Sequence, residues 1–146
     1  IASASWLDAS TLRMAVASVA SNGKVCIWEG TFTSGFTTSA TCTGTSFAST
    51  TNVDIVGAVY ASTPTFFVRS SGSYLARLAR SGANTYTTST FSTGQVIRSS
   101  LFVVNSLASA GLEVGCFNTS NVPYVARVGT TGNPTWVSLP VLPGGA

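Results

Sequence analysis

A stretch of this chain repeats itself. Tyr74-Leu75-Ala76-Arg77-Leu78 recurs fifty residues later as Tyr124-Val125-Ala126-Arg127-Val128, and the match runs on without a gap through Gly82 and Gly132, Thr85 and Thr135, and Tyr86 and Trp136. Applied backwards, the same offset sets Lys24-Val25-Cys26-Ile27-Trp28 under Tyr74 to Leu78, and Phe36-Thr37-Thr38-Ser39 under Tyr86-Thr87-Thr88-Ser89. An offset of 100 relates Leu12-Arg13-Met14-Ala15-Val16 to Leu112-Glu113-Val114-Gly115-Cys116. Three copies in 146 residues leave about fifty residues each. A unit of that size buries its apolar surface by stacking on its neighbours. The expected division is 1–46, 47–95 and 96–146, the last including a C-terminal connector from Leu139, all within one structural unit.

Each copy contains four short runs rich in β-branched and aromatic residues, separated by Gly, Pro, Asn or Ser, which is the pattern of strands and turns. In the first copy these are Ser3 to Asp8, Arg13 to Ala20, Lys24 to Glu29 and Phe36 to Cys42. The second has Asp54 to Ala61, Thr65 to Arg69, Tyr74 to Arg80 and Thr85 to Thr90; the third has Ile97 to Asn105, Leu112 to Asn118, Pro123 to Val128 and Thr135 to Val141. Composition points the same way. Ser and Thr fill 43 of 146 positions, while Lys occurs once, Gln once and Glu twice, so helix formers are too scarce for a bundle. The expectation is an all-β protein of three four-stranded antiparallel repeats.

The chain lacks histidine, and its acids are only Asp8, Glu29, Asp54 and Glu113, scattered along the sequence. Without imidazole there is no Ser-His-Asp or Cys-His constellation and no His-ligated metal. No catalytic residue, cofactor or metal site is therefore expected. The formal charge of +3 comes from six arginines and one lysine spread over the whole length, with Arg77 and Arg80 the nearest approach to a cluster. Such dilution does not make a phosphate-tracking groove, and nucleic acid is not an expected partner. No apolar run reaches 18 residues, so membrane insertion through a helix is not expected either.

Two architectures use four strands per repeat of this length, the β-propeller blade and the β-trefoil. Several runs are apolar on both faces, as in Ile55-Val56-Gly57-Ala58-Val59-Tyr60, Phe66-Phe67-Val68 and Leu101-Phe102-Val103-Val104. A sheet with one wet face would alternate; a sheet sandwiched between two others need not. The fourth runs are hydroxyl-rich, as an outer edge strand should be. Propeller-like blades are thus the first expectation and a trefoil the alternative.

Each copy ends in a hairpin that resembles the Asp-box of sialidase-type propellers, in which Ser-x-Asp-x-Gly-x-Thr-Trp joins the third and fourth strands. Gly132-Asn133-Pro134-Thr135-Trp136 and Gly82-Ala83-Asn84-Thr85-Tyr86 keep the glycine-bearing turn, the Thr and the aromatic. Ser81 and Thr131 stand where the signature has aspartate, and Ala79 and Gly129 where it has serine. The resemblance implies blade architecture and carries no sialidase activity across. It also implies core-facing packing for Tyr86 and Trp136.

Closed propellers carry four to eight blades, so three leave two apolar faces to be covered. The expected function is a non-catalytic structural module at the cell surface or outside the cell, self-associating or docking on further blades of a filament or coat. The alternative is a carbohydrate-binding lectin. Its candidate sugar contacts are Trp28, Tyr74, Arg77, Tyr124, Arg127 and Trp136, since sugars stack on aromatic faces and bond to neighbouring polar groups. A hairpin turning near Ser34-Gly35 sets Cys26 opposite Cys42, where either a disulfide or two buried thiols would fit, while Cys116 matches core positions. Asn118-Thr119-Ser120 is an N-glycosylation sequon, in keeping with an extracellular setting.

Overall fold

A computed structural model describes residues 1–47, 54–60, 62–70, 72–106, 111–128 and 134–140. Every regular element among them is a β-strand, and all pairings are antiparallel. The first sheet contains β1 (Ala2–Asp8), β2 (Thr11–Val19) and β3 (Val25–Thr31). Its outer edge is two short pieces, β4 (Gly35–Phe36) and β5 (Thr41–Cys42), both paired with β3. The second sheet is a meander of β6 (Ile55–Tyr60), β7 (Thr63–Arg69), β8 (Tyr74–Gly82) and β9 (Thr85–Ser92). The third is a meander of β10 (Ile97–Ser106), β11 (Gly111–Asn118), β12 (Pro123–Val128) and β13 (Trp136–Ser138).

The second sheet lies between the other two, with β6 beside both β1 and β10. Successive residues of a strand point to opposite faces, so the middle sheet must be apolar on both. It is: Phe66, Val68, Ala76 and Leu78 join Trp6, Val25 and Ile27 of the first sheet in one core. Phe67 and Leu75, one residue out of step, join Leu112, Val114, Cys116 and Val128 of the third sheet in another. Phe66 and Phe67 are both fully buried although they are adjacent in sequence. Each contributes roughly 2–3 kcal/mol through removal of its ring from water.

The outer strand β9 is exposed at most of its hydroxyl-bearing positions, which explains how a Thr-rich edge coexists with a dry middle. The fourth strand of the first copy departs from expectation. One continuous run from Phe36 to Cys42 is replaced by two bridges, and the second is where Cys42 pairs with Cys26. That pair is a disulfide, with Cys116 buried as a free thiol. Glycine is required at several close approaches, among them Gly115, where a Cβ would run into the Phe102 ring. Of the third hairpin, Gly132 and Asn133 lie outside the described residues, as does the connector beyond Pro140.

Candidate functional site

Strand alternation places Val25, Ile27 and Glu29 of β3 on the face turned to the second sheet, and Ala76, Leu78 and Arg80 of β8 on the opposing face. Glu29 and Arg80 therefore meet at the rim of the core. Arg80 Nε donates to Glu29 Oε1 at 2.9 Å and Arg80 Nη2 to Glu29 Oε2 at 3.1 Å, the paired geometry a guanidinium offers a carboxylate. The guanidinium also lies over the Trp6 ring, 5.1 Å from its centroid. The Glu29 hydrogen bond raises the Arg80 pKa against the opposing effect of burial. The Tyr86 hydroxyl, facing the same pair, has its pKa pushed well up, chiefly by burial and then by Glu29.

The junction of the second and third sheets is built differently. Fifty residues after Glu29 stands Ala79, and fifty after Ile27 stands Arg77, both turned to the third sheet. A short apolar side chain thus replaces the carboxylate, and a cavity of about 230 Å³ opens there. Phe67, Leu112 and Val128 line it with apolar surface; Tyr60, Thr63 and Thr65 bring hydroxyls. Arg77 also lines it and is only 8% exposed. Its Nε donates to Ser89 Oγ at 3.1 Å from the directly paired position on β9, which fixes the plane of the guanidinium. Burial lowers the Arg77 pKa, though an arginine in this setting keeps its proton. A shallower polar pocket of about 150 Å³ adjoins, formed by Ser62, Ser81 and Gly82 and sharing Thr63 and Arg80 with the first. Together they give an apolar floor bordered by hydroxyl-bearing side chains and the Arg77 side chain within one inter-sheet cleft.

Of the six aromatic and arginine candidates, Arg77 is the one that lines this cavity. Tyr124 and Trp136 pack against the same inter-sheet core, and the buried Trp136 Nε1 has no hydrogen-bond partner among the described residues. Trp28 sits on the free face of the first sheet, opposite Val16. Tyr74 is exposed at the start of β8. Arg127 projects from the free face of the third sheet and pairs with Glu113 at 3.2 Å. The six do not converge on one site. Asn118 is buried, and its Oδ1 accepts from the backbone N–H groups of Ser120 and Val122, closing the β11–β12 turn. Glu29, Trp6, Tyr60, Thr63 and Thr65 were not singled out by the sequence; reading the repeat offset together with strand alternation would have aligned Glu29 with Ala79. No cluster of metal-ligating residues occurs among the described residues, and no helix there is long and apolar enough to cross a membrane.

No family model and no curated protein matches the sequence. Among solved structures, the chain is similar to a fucose lectin from Kordia zhangzhouensis, determined in complex with methyl-fucoside. The TM-score is 0.57 at 16% sequence identity, and the match covers 93% of this chain and 96% of that chain. The two therefore share an all-β fold along nearly their whole lengths.

Proposed function

We propose that this protein is a non-catalytic carbohydrate-binding protein whose three sheets are propeller-like blades and whose sugar site lies in a cleft between blades. The observation that carries the reading is the cavity between the second and third sheets, where Tyr60, Thr63, Thr65 and Arg77 surround an apolar floor. The full-length likeness to a lectin solved with a fucoside supports it. Burial of the middle sheet on both faces favours blades over a trefoil. The Cys26–Cys42 disulfide fits an extracellular or cell-surface location. A glycan array probed with the labelled protein tests the function. Saturable binding to a defined class of sugar is the expected result; absence of binding to every neutral and acidic glycan at millimolar protein-accessible concentration overturns it.

A second reading, self-association, is compatible with the first and has its own observation. On the free face of the first sheet Leu7 is 62% and Leu12 48% exposed, next to Met14 and Val16. The free face of the third sheet carries the Phe102–Phe117 ring pair. Two apolar end faces on one chain suit head-to-tail contact with a further copy. Sedimentation velocity across a hundredfold concentration range is expected to show larger species; a monodisperse monomer throughout rejects the reading.

A further inference from the structure

We infer that two copies of this chain close into a six-bladed ring, the free face of each third sheet packing on the free face of the other copy's first sheet. This rests on the self-association reading and specifies the partner, the faces that meet and the number of copies.

The chain builds an inter-sheet junction twice, each time with the same two faces. On the second strand of each sheet, positions fifty residues apart are Ala17, Phe67 and Phe117. Ala17 turns to the second sheet and Phe67 to the third, while Phe117 turns the same way onto the free face beside Phe102. Their neighbours Val16, Phe66 and Cys116 turn the other way. Phe66 packs on the first sheet and Cys116 on the second, which leaves Val16 on the opposite free face. The remaining strands agree. Val25 and Ile27 are buried toward the second sheet and Leu75 toward the third, and Val125 and Arg127 alternate outward from the buried Ala126 and Val128. Tyr86 packs against the core of the first junction and Trp136 against that of the second. Phe36, the third member of that aromatic set, pairs with Gly30 on the free face of the first sheet and is 43% exposed. It is the aromatic of the set with no sheet before it.

The two free faces are therefore the two halves of a junction that the chain already makes. One half sets Val16 beside Trp28, with Met14 and Phe36 in the adjacent rows. The other is the cross-strand row Phe102, Gly115, Val125 and Val137, the last 59% exposed. Both are apolar, so removing them from water favours their contact. Arg127 enters already paired with Glu113, so no lone charge is buried. Arg77, its counterpart by the repeat offset, is accommodated at the second junction with 8% of its surface exposed. Closure fixes the number of copies. Closed propellers carry four to eight blades, and chains of three sheets reach only six within that range. A two-fold axis then relates two identical junctions, and neither apolar end is left in water.

The mass of the native protein in solution is the first measurement. Sedimentation equilibrium is expected to level off at twice the 14.9 kDa of the chain and to stay there across a hundredfold concentration range. Val16→Lys and Val125→Asp each put a charge into one half of the junction, so either variant alone should lose the dimer. An equimolar mixture should regain it, because one of its two junctions is then wholly native and the other sets a lysine and an aspartate in one interface. Oxidative footprinting of the native protein across its dissociation range should show Phe36 and Val137 protected together in the dimer. If a variant fails to fold, the native masses and footprints still decide. Mass that keeps growing with concentration means an open filament, which overturns the ring and leaves self-association standing. A dimer that only one of the two variants disrupts, or that protects only one of the two faces, means that like faces pair, and it overturns the ring in the same way. A monomer throughout overturns both the ring and self-association.

Discussion

Arg80 crosses from the second sheet to clasp Glu29 of the first through two hydrogen bonds, and both side chains are largely buried, with 16% and 5% of their surfaces exposed. Fifty-one residues apart in sequence, they form an ion pair that joins two modules rather than bracing one. Their counterparts Arg13 with Asp8, and Arg127 with Glu113, each lie within a single sheet.

Removing one partner of such a pair should cost more than removing both. Glu29→Ala leaves a buried guanidinium without its carboxylate and is expected to destabilise the fold by about 3–5 kcal/mol. Replacing both residues with Met should recover much of that loss. Urea midpoints of the two single variants and the double variant measure the difference, and a double variant no better than the worse single would contradict the account.

The Cys26–Cys42 bridge closes a loop with a sequence separation of 16, for which loop-closure entropy predicts roughly 3 kcal/mol of stabilisation. Its loss should be felt most at the outer edge of the first sheet, where β5 is held to β3 by only two paired positions. Intact mass should rise by two hydrogens on reduction. The double variant C26A/C42A should melt lower than the native protein while Cys116→Ala retains the bridge.

Gly115 faces the Phe102 ring so closely that any Cβ displaces it. Gly115→Ala is expected to cost about 1–3 kcal/mol through forced repacking. Adding Phe102→Leu should return part of the loss, read as a rise in melting temperature over the single variant. No interaction between the two substitutions would mean that the strand yields elsewhere.

Burial pushes the Cys116 thiol up to about 11. In the unfolded chain the thiol ionises near its ordinary value, so between about pH 9 and pH 11 the unfolded state binds fewer protons than the folded one. Stability should accordingly be level below that window and fall within it, by at most about 1.4 kcal/mol per pH unit from this group. Tyr86, also pushed up by burial, adds a further loss once unfolded tyrosine ionises. Cys116→Ala should flatten the first part of the decline in denaturation midpoints measured from pH 7 to pH 10.5. An identical decline in the variant would exclude the thiol as its source.

Much of the fold was legible because β-structure writes itself in local chemistry. The apolar run Ile55 to Tyr60 and the doublet Phe66-Phe67 could not both be half-wet, and the hydroxyl-rich run from Thr85 was suited to an edge. The pairing of Cys26 with Cys42 followed from their places on neighbouring strands, though local sequence could not choose between a bond and two thiols. The inter-sheet cleft was much less legible. Of its lining, Arg77 was singled out because an arginine beside a tyrosine is conspicuous, whereas Thr63 and Thr65 were hidden among 21 threonines.

The sequence by itself determined that the elements are strands and that several of them are apolar on both faces, because alternation and side-chain chemistry act within a few residues. Only the tertiary structure decided that Glu29 meets Arg80 at one junction while Ala79 leaves a cavity beside Arg77 at the next. Whether a side chain fills a space or opens one depends on what the facing sheet presents, and residues of different sheets face each other only when the sheets stack.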